Sequence, residues 1–458
     1  MMASPVERIH VLERGMRRRA GICAWIGRDI NVDPTLVHQF CFSNPSLLAH
    51  DICTLVGSVK LADRAIRRKP FKGWARQLRV SLPVYEYSLW AQEKVSTTLA
   101  DCLNYLTGDQ WLFDFCQRSG QPAASSQAHV VGLPEGEYVT IPYSHGLDSY
   151  AQLKLLQAAH PTVNTLCIFT DSRGSTSDWK SFCKTFKRPE AIRAIRVPFR
   201  VNEPKHCEPS FRSRAFLFYL LAGYSAALAG ANRVVIPENG QGSLGGSLVR
   251  LGAEAPHRSC HPGFTSRLAK LISLLMEKKI QFDHIALFQT KGQVLQALSS
   301  IEAPESWLKQ HSSCSHDQRY ANLYGKKVHC GVCGGCVLRR VSAIAARIQD
   351  DTPYLFSNLK TPNFESALPQ DVKPGAIRAF RDLAGNNLRS MKRLANFYEQ
   401  PDSPTLWSMS ADLARYTNLS IDDANRKLRE FIKQHADDWE LFINYCGANS
   451  WPAQLSEA

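Results

Sequence analysis

IPYSHGLDSYAQLKLLQ, residues 141–157, is the stretch of sequence that decides the fold of the central part of the chain. Its apolar beginning predicts a strand, the residues SHGLDS predict a turn, and an amphipathic helix pattern follows at once. A strand that turns through small residues into a helix gathers free backbone N–H groups at the positive helix end, which favours phosphate binding. The sequence therefore predicts a phosphate-binding loop, with an ordinary capped strand-to-helix turn as the alternative.

The residues of this loop differ in what they offer to a phosphate. Ser144 and Ser149 supply hydroxyl donors, whereas the carboxylate of Asp148 repels phosphate unless it holds Mg²⁺ or fixes the loop. Two further candidates, Thr170 and Asp171, end the next predicted strand, where doubly wound sheets bind ligands, although Asp171 also suits a helix cap. The candidate ligand-binding residues at these two strand ends are Ser144, His145, Gly146, Leu147, Asp148, Ser149, Thr170 and Asp171.

Short β-rich runs alternate with helical patterns from residue 137 to residue 345. This alternation predicts parallel strands joined by right-handed crossovers, and hence a doubly wound α/β domain. Around it, we expect an α+β accessory domain over residues 1–136, with strands near residues 77–84 and 111–115 around a helix at residues 94–106. We also expect a helical extension over residues 346–458, in which Ser420 suits a helix N-cap. Residues 211–230 are apolar nearly all round and predict a helix in the interior of the central domain. The predicted strands of the central domain are residues 138–143, 165–170, 192–199, 233–238 and 284–288.

Four cysteines near the end of this domain have the spacing of a metal site. Cys314 precedes Cys330, Cys333 and Cys336, which form a C-x2-C-x2-C run with glycines that let the backbone curl tightly. Four thiolates with no open position favour a closed structural Zn²⁺ site. An iron–sulfur cluster and redox-active cysteines are the alternatives.

The composition is that of a globular protein with a basic excess. The 458 residues carry a net charge of +14, and residues 1–80 alone contain 14 Lys and Arg against 6 Asp and Glu. A nucleic-acid partner is one interpretation and a solvated basic face is the other. No run approaches the roughly 20 apolar residues of a membrane span, and the scattered single cysteines suggest reduced thiols, so we expect a cytoplasmic protein.

The loop and the cysteine run together resemble the QueC family, the 7-cyano-7-deazaguanine synthases. SHGLDS is similar to the SGGxDS signature of PP-loop ATP pyrophosphatases, with His145 in the position of the second glycine. The resemblance covers residues 137–345, and several segments are closest to QueC-like proteins of anti-phage operons, such as QatC and those of CBASS systems. The matching segments are FTDSRGS (169–175), FRSRAFLF (211–218), VVIPENG (234–240), FQTKGQVLQAL (288–298) and the cysteine run with Leu338, Arg339 and Arg340.

The resemblance implies a Rossmann-like PP-loop core of the HUP type with a zinc knuckle, and a ligase activity. ATP, with Mg²⁺, would adenylate the carboxylate of 7-carboxy-7-deazaguanine, and a nitrogen nucleophile would then displace AMP. The residues of the SHGLDS loop, with Thr170 and Asp171, would bind the nucleotide. Arg212 and Arg214 would meet phosphate or carboxylate, Glu238 and Asn239 would read the guanine-like ring, and Lys291 would neutralise phosphate. From the residues alone, surface arginines, a turn-forming pair and a solvated lysine remain the alternatives.

The added terminal segments suggest a macromolecular partner. The nucleophile would then be an amino group of a partner protein from a defence operon instead of ammonia, and a homodimer is also compatible with the sequence. Two other functions remain open at this stage. One is an RNA-thiolating PP-loop enzyme, which the basic charge favours, and the other is a catalytically degenerate nucleotide-binding scaffold, which His145 favours.

Overall fold

The computed structural model describes residues 5–35, 37–38, 45–69, 74–122, 132–133, 135–144, 146–171, 192–250, 254–316, 320–369 and 377–457. These residues form two compact units, each assembled from separate segments of the chain. The first unit comprises Met1–Ser144, His160–Pro237 and Ala253–Ile285, and the second comprises His145–Ala159, Glu238–Gly252 and Ala286–Ala458. The division into three consecutive domains is a different partition of the chain and stays a prediction.

A four-stranded sheet opens the first unit. Its order is β2-β1-β4-β5, and each neighbouring pair is parallel. Apolar residues on one face, such as Ile9, Val80 and Trp111, are buried against the helices. The elements of this region are β1 (Val6–Leu12), β2 (Ile22–Trp25), β3 (Ile30–Val32), α1 (Leu47–Ala65), β4 (Gln77–Val84), α2 (Tyr87–Trp90), α3 (Glu93–Thr107) and β5 (Gln110–Gln117).

The expectation of an α+β accessory domain is wrong for this region. The strands predicted near residues 77–84 and 111–115 and the helix between them are present, but the strands are parallel and helices connect β1, β4 and β5. β3 leaves this sheet and pairs antiparallel with β8, which comprises Ile192–Val201, so the region is not a separate sheet system. The region is therefore parallel α/β.

A six-stranded sheet forms the rest of the first unit, in the order β10-β9-β6-β7-β8-β3. All its pairs are parallel except β3 with β8, which confirms the predicted parallel α/β arrangement in its coarse form. The predicted strand over residues 284–288 is wrong, because the strand ends at Asp283 and a turn follows. The remaining elements, of which α4 and α6 belong to the second unit, are β6 (Tyr138–Tyr143), α4 (Leu147–Ala159), β7 (Asn164–Asp171), β8, α5 (Arg214–Leu228), β9 (Arg233–Val235), α6 (Gly246–Leu248), α7 (Pro262–Met276) and β10 (Gln281–Asp283).

The helix α5 is buried almost all round, as its apolar sequence predicts. It contacts β6 and β7 and lies beside α1 and α7, so Phe216, Leu220 and Tyr224 are shielded by neighbours in the same unit. None of the helices in the described part of the chain combines the length and apolar character that crossing a lipid bilayer requires.

The second unit is mainly helical, as predicted for the end of the chain. Ser420 caps α12 as its sequence predicts, since its hydroxyl accepts a hydrogen bond from the Asp423 N–H at 3.0 Å. Aromatic side chains including Phe356, Phe380 and Trp451 form its core. Its elements beyond α4 and α6 are α8 (Lys291–Ser299), β11 (Asn322–Leu323), β12 (Lys326–Lys327), α9 (Gly334–Ala345), α10 (Ile377–Asn396), α11 (Pro404–Tyr416), α12 (Ile421–Cys446) and α13 (Trp451–Glu457).

Candidate functional site

The loop between β6 and α4 is the starting point of the candidate site. Ser144 follows β6, while His145 lies outside the described residues. Gly146 forms a bridge with Ser312, and the Leu147 N–H donates to the Ser312 carbonyl at 3.3 Å. The Ser149 hydroxyl donates to the Gly146 carbonyl at 3.1 Å. The turn is therefore braced by its own hydroxyl and by the segment that leads to Cys314.

A cluster of charged and polar side chains lies around Asp148, in the first turn of α4. The Lys291 ammonium donates to Asp148 Oδ2 at 2.7 Å, and the Asn239 amide donates to Asp148 Oδ1 at 3.1 Å. The same Asn239 nitrogen donates to Glu238 Oε1 at 2.8 Å. Four residues that the sequence predicted as site residues in three separate segments thus form one hydrogen-bonded cluster within the second unit.

The backbone around Glu238 is shaped to admit its carboxyl group. A π-helical turn over Gln241–Gly245 follows directly, and a Cβ at Gly242 would overlap the carboxyl group of Glu238. A Cβ at Gly240 would lie 2.5 Å from the Phe431 ring. Gly240 is therefore required by close approach, because a Cβ there would also lie 2.8 Å from the Leu287 carbonyl oxygen, whereas a side chain at Gly242 would displace the carboxyl group of Glu238.

Lys291 is positioned by the start of α8. Thr290 caps this helix in a reciprocal capping box with Gln293, and the Lys291 N–H donates to Gln241 Oε1 at 2.8 Å. The Lys291 side chain is 2% exposed, whereas Asp148 is 30% exposed. The ammonium is thus held away from water with a carboxylate as its partner, and it is not the solvated lysine of the alternative interpretation.

The cluster contains a carboxyl group that is easily protonated. Burial and the nearby Asp148 carboxylate raise the pKa of Glu238 to about 8, while Lys291 opposes this shift. At neutral pH Glu238 therefore carries a proton, and the charges of Asp148 and Lys291 balance. A divalent cation between the two carboxyl groups would displace that proton, since carboxylate oxygens are the ligands that Mg²⁺ prefers.

Two buried residues of α12 that sequence reasoning missed, His435 and Asp438, support this cluster. His435 is fully buried in α12, and its Nδ1 lies 3.4 Å from Gln241 Nε2. Its Nε2 lies 2.9 Å from the Met391 carbonyl, so Nε2 is the protonated nitrogen and Nδ1 the acceptor. Burial lowers the pKa of His435 to about 4, which keeps the ring neutral. Asp438, one helical turn further, has its pKa raised by burial and is hydrogen-bonded by Thr290.

Four further residues predicted to bind nucleotide or substrate, Thr170, Asp171, Arg212 and Arg214, belong to the first unit. Thr170 is buried near the end of β7, and its hydroxyl has no hydrogen-bond partner among the described residues; Asp171 ends the strand. Arg212 donates to the Ala255 carbonyl and to Glu254, each at 2.7 Å, and its guanidinium lies over an indole ring. Arg214 is exposed at the start of α5. Arg212 is thus engaged by structural partners, and the surface interpretation fits Arg214.

The four cysteines predicted as metal ligands do converge. Their sulfur atoms all lie within 4.8 Å of one another, and those of Cys330 and Cys336 are 3.8 Å apart. In a tetrahedral ZnS4 site with bonds of about 2.3 Å, the sulfur atoms are about 3.8 Å apart. Backbone N–H groups of Cys330 and Cys333 donate to Cys314 and Cys330 sulfurs at 3.3 and 3.2 Å. Cys314, Cys330, Cys333 and Cys336 are positioned to bind a metal ion and are compatible with zinc.

The four thiols of the cluster influence one another's ionisation. Hydrogen bonds from the neighbouring thiols lower the pKa of Cys333, while hydrogen bonding with Cys314 raises the pKa values of Cys330 and Cys336. The pKa of Cys314 is lowered to about 7 by its hydrogen bond with Cys330. Without a metal, repulsion between neighbouring thiolates would keep some of the four thiols protonated. A divalent cation would permit all four to ionise.

Tight glycine contacts build the metal-binding turn. Gly331 has φ +87°, and a Cβ there would lie 2.7 Å from the Phe356 carbonyl oxygen. A Cβ at Gly335 would overlap the Ser313 carbonyl oxygen, whereas one at Gly334 would meet only the Asn387 side chain, at 3.2 Å. Of the two adjacent glycines, Gly335 is therefore the one whose replacement the backbone cannot accommodate.

Comparisons with known proteins leave the chain without an assigned family. No protein-family model matches the sequence, and no curated protein matches it. The chemistry of the two sites therefore has to be argued from their own residues.

Proposed function

We propose that this protein is an ATP-dependent, AMP-forming carbon–nitrogen ligase that resembles the QueC family and acts on 7-carboxy-7-deazaguanine. The observation that carries the proposal is the cluster around Asp148. Asn239 and Lys291 are 91 and 143 residues from Asp148 along the chain, and both are within hydrogen-bond distance of its carboxylate. In this cluster a loop of phosphate-binding type meets a buried cation and a second carboxyl group, Glu238.

In the proposed reaction, a carboxylate oxygen of the substrate attacks the α-phosphorus of ATP, the bond to the β-phosphate breaks, and pyrophosphate leaves. An amine then attacks the acyl carbon, AMP leaves, and the nitrogen loses a proton. Asp148 and Glu238 would hold Mg²⁺, which neutralises charge on the leaving pyrophosphate. Lys291, released from its ion pair, would face the same charge, and the N-terminal turn of α4 would supply backbone N–H groups.

The four-cysteine site is proposed to hold Zn²⁺ in a structural role. The ligand set is closed, since four sulfurs leave no position for substrate. Three of the four cysteines, Cys330, Cys333 and Cys336, are at most 2% exposed. Reduced thiols that bind a metal are typical of the cytoplasm, so we propose that location. We also propose a role in anti-phage defence, in which an amino group of a partner protein is the nucleophile.

The decisive experiment measures AMP release from ATP by the zinc-loaded protein with and without 7-carboxy-7-deazaguanine. We expect substrate-dependent AMP, lowered at least a hundredfold by Asp148→Asn and by Glu238→Gln. Asp402→Asn, which alters a carboxylate that is 90% exposed in the same unit, is the matched control and should keep full activity. Equal AMP release with and without substrate, or an unchanged rate in Asp148→Asn, would refute the proposal.

A nucleotide-binding scaffold without turnover is the second candidate. One contact favours it: the Lys291 ammonium is paired with Asp148 at 2.7 Å. A lysine that stays in this ion pair would not neutralise the charge that develops on pyrophosphate during turnover. ATP binding by calorimetry without AMP release, unchanged by added substrate and ammonia, would identify the protein as a scaffold.

A further inference from the structure

The connection between β1 and β2 carries a concentration of positive charge that the proposed ligase chemistry does not use. Within residues 13–21, Arg14, Arg17, Arg18 and Arg19 are all exposed. None of them forms an ion pair with any residue that the structure describes. Glu13, the one acidic residue of the connection, is occupied elsewhere, because it accepts hydrogen bonds from Ser119 and Arg118.

This connection folds back over the face of the four-stranded sheet that points away from α1 and α3. Side chains alternate along a strand, so His10 lies on the face opposite Ile9 and Val11, which pack into the core. The Ala20 carbonyl lies 3.1 Å from His10 Nε2, and Gly21, at φ +122°, comes so close that a Cβ would lie 2.6 Å from the Arg8 carbonyl oxygen. The connection thus presents its arginines on the outside of this face.

Two strand arginines extend the charge across the same face. Arg8 of β1 and Arg79 of β4 are direct neighbours in the register, and Arg8 is exposed. Like charges directly opposite each other destabilise a sheet, and the described counter-charge is Asp114, 3.7 Å from Arg79. We name the set Arg8, Arg14, Arg17, Arg18, Arg19 and Arg79 the arginine face.

We propose that the arginine face binds nucleic acid through its phosphates. Guanidinium groups form paired hydrogen bonds with phosphate. The six guanidinium groups have Asp114 as their described counter-charge, so this face has a positive potential that attracts a polyanion. An acidic protein is the weaker fit, because protein interfaces centre on apolar and aromatic side chains and residues 13–21 contain no aromatic residue. This inference is independent of the ligase proposal, since none of these residues belongs to the Asp148 cluster.

The test is fluorescence anisotropy with a labelled 20-nucleotide oligo(U) RNA and a 20-base-pair duplex, titrated at several salt concentrations. Arg79 lies 3.7 Å from Asp114, so we count phosphate contacts from the other five arginines. On a single strand, five contacts predict a slope of log K against log salt of about −3.5. Replacing Arg17, Arg18 and Arg19 together by serine should make that slope less steep by about 2, to about −1.5, and weaken binding at least tenfold at 0.1 M salt. Replacing them by lysine should preserve the slope, since the charge is kept.

The matched control replaces Arg378, Arg381 and Arg393, three exposed arginines of α10, by serine and removes the same charge from the second unit. It should retain nearly the full slope. An equal loss in this control, an unchanged slope in the first triple variant, or no salt-sensitive binding at 0.05 M salt would overturn the proposal. Displacement of RNA by poly-glutamate of equal length would overturn it in favour of an acidic protein. Unchanged melting temperatures show that each variant is folded.

Discussion

Breaking the ion pair between Asp148 and Lys291 should reveal how strongly the candidate site is held together. The two charges are 2.7 Å apart, and the Lys291 side chain is 2% exposed. Asp148→Asn removes the carboxylate that is hydrogen-bonded to this buried ammonium, and a cost of about 3–5 kcal/mol is typical when one partner of a buried pair is removed. Because Asp148 is 30% exposed and water can approach it, we expect about 3 kcal/mol. Lys291→Met leaves a carboxylate that water can solvate and should cost about 1 kcal/mol.

The double variant Asp148→Asn/Lys291→Met should be no less stable than Lys291→Met alone, so the coupling free energy should be about 3 kcal/mol. Urea unfolding followed by tryptophan fluorescence measures these differences, with the slope in denaturant checked for constancy because the chain has two units. An Asp148→Asn cost below about 1 kcal/mol, or effects that simply add, would refute the interpretation of a buried, mutually dependent pair.

Three further predictions concern the metal-binding turn and pH. Gly335→Ala should abolish stoichiometric zinc binding, measured by metal analysis after dialysis, while Gly334→Ala should retain it; equal retention would contradict the assigned contacts. Glu238 holds a proton in the folded protein that the unfolded chain loses above pH 4.5. The contribution of Glu238 to stability therefore falls as the pH rises towards 8, and Glu238→Gln should remove this part of the pH dependence of the melting temperature. For His435 the sign is reversed: its contribution to the free energy of unfolding is present above pH 6.5 and falls by about 3 kcal/mol as the pH is lowered towards 4. His435→Gln should therefore show a smaller loss of stability over this pH range. Parallel curves of stability against pH for the variant and the unchanged protein would argue against burial of His435 as the cause.

Local patterns in the sequence predicted much of the architecture. The buried strand at residues 138–143, the all-round apolar helix α5 and the Ser420 cap each depend on side chains within a short window, and all three are present. The cysteine spacing likewise predicted the converging sulfurs, because two overlapping C-x-x-C turns leave little conformational choice.

Long-range features were beyond local patterns. A period of two identifies a strand but carries no direction, so the parallel pairing of β1, β4 and β5 could not be read from it. The support of Gln241 by His435 depends on two polar residues 194 positions apart, and a single histidine on a helix is more often a packed core residue than a site residue. The glycine-rich run after Glu238 was the available signal for this support.

The discontinuous make-up of the second unit has a consequence for synthesis of the protein. Asp148 emerges from the ribosome well before Phe431 and His435, which pack against Gly240 and Gln241 and lie more than 280 residues further along the chain. A nascent chain that stops before α12 carries every residue of the Asp148 cluster and yet lacks the helix that braces it. Premature termination before α12 should therefore yield an inactive chain, and the protein would acquire its site only after α12 has been translated.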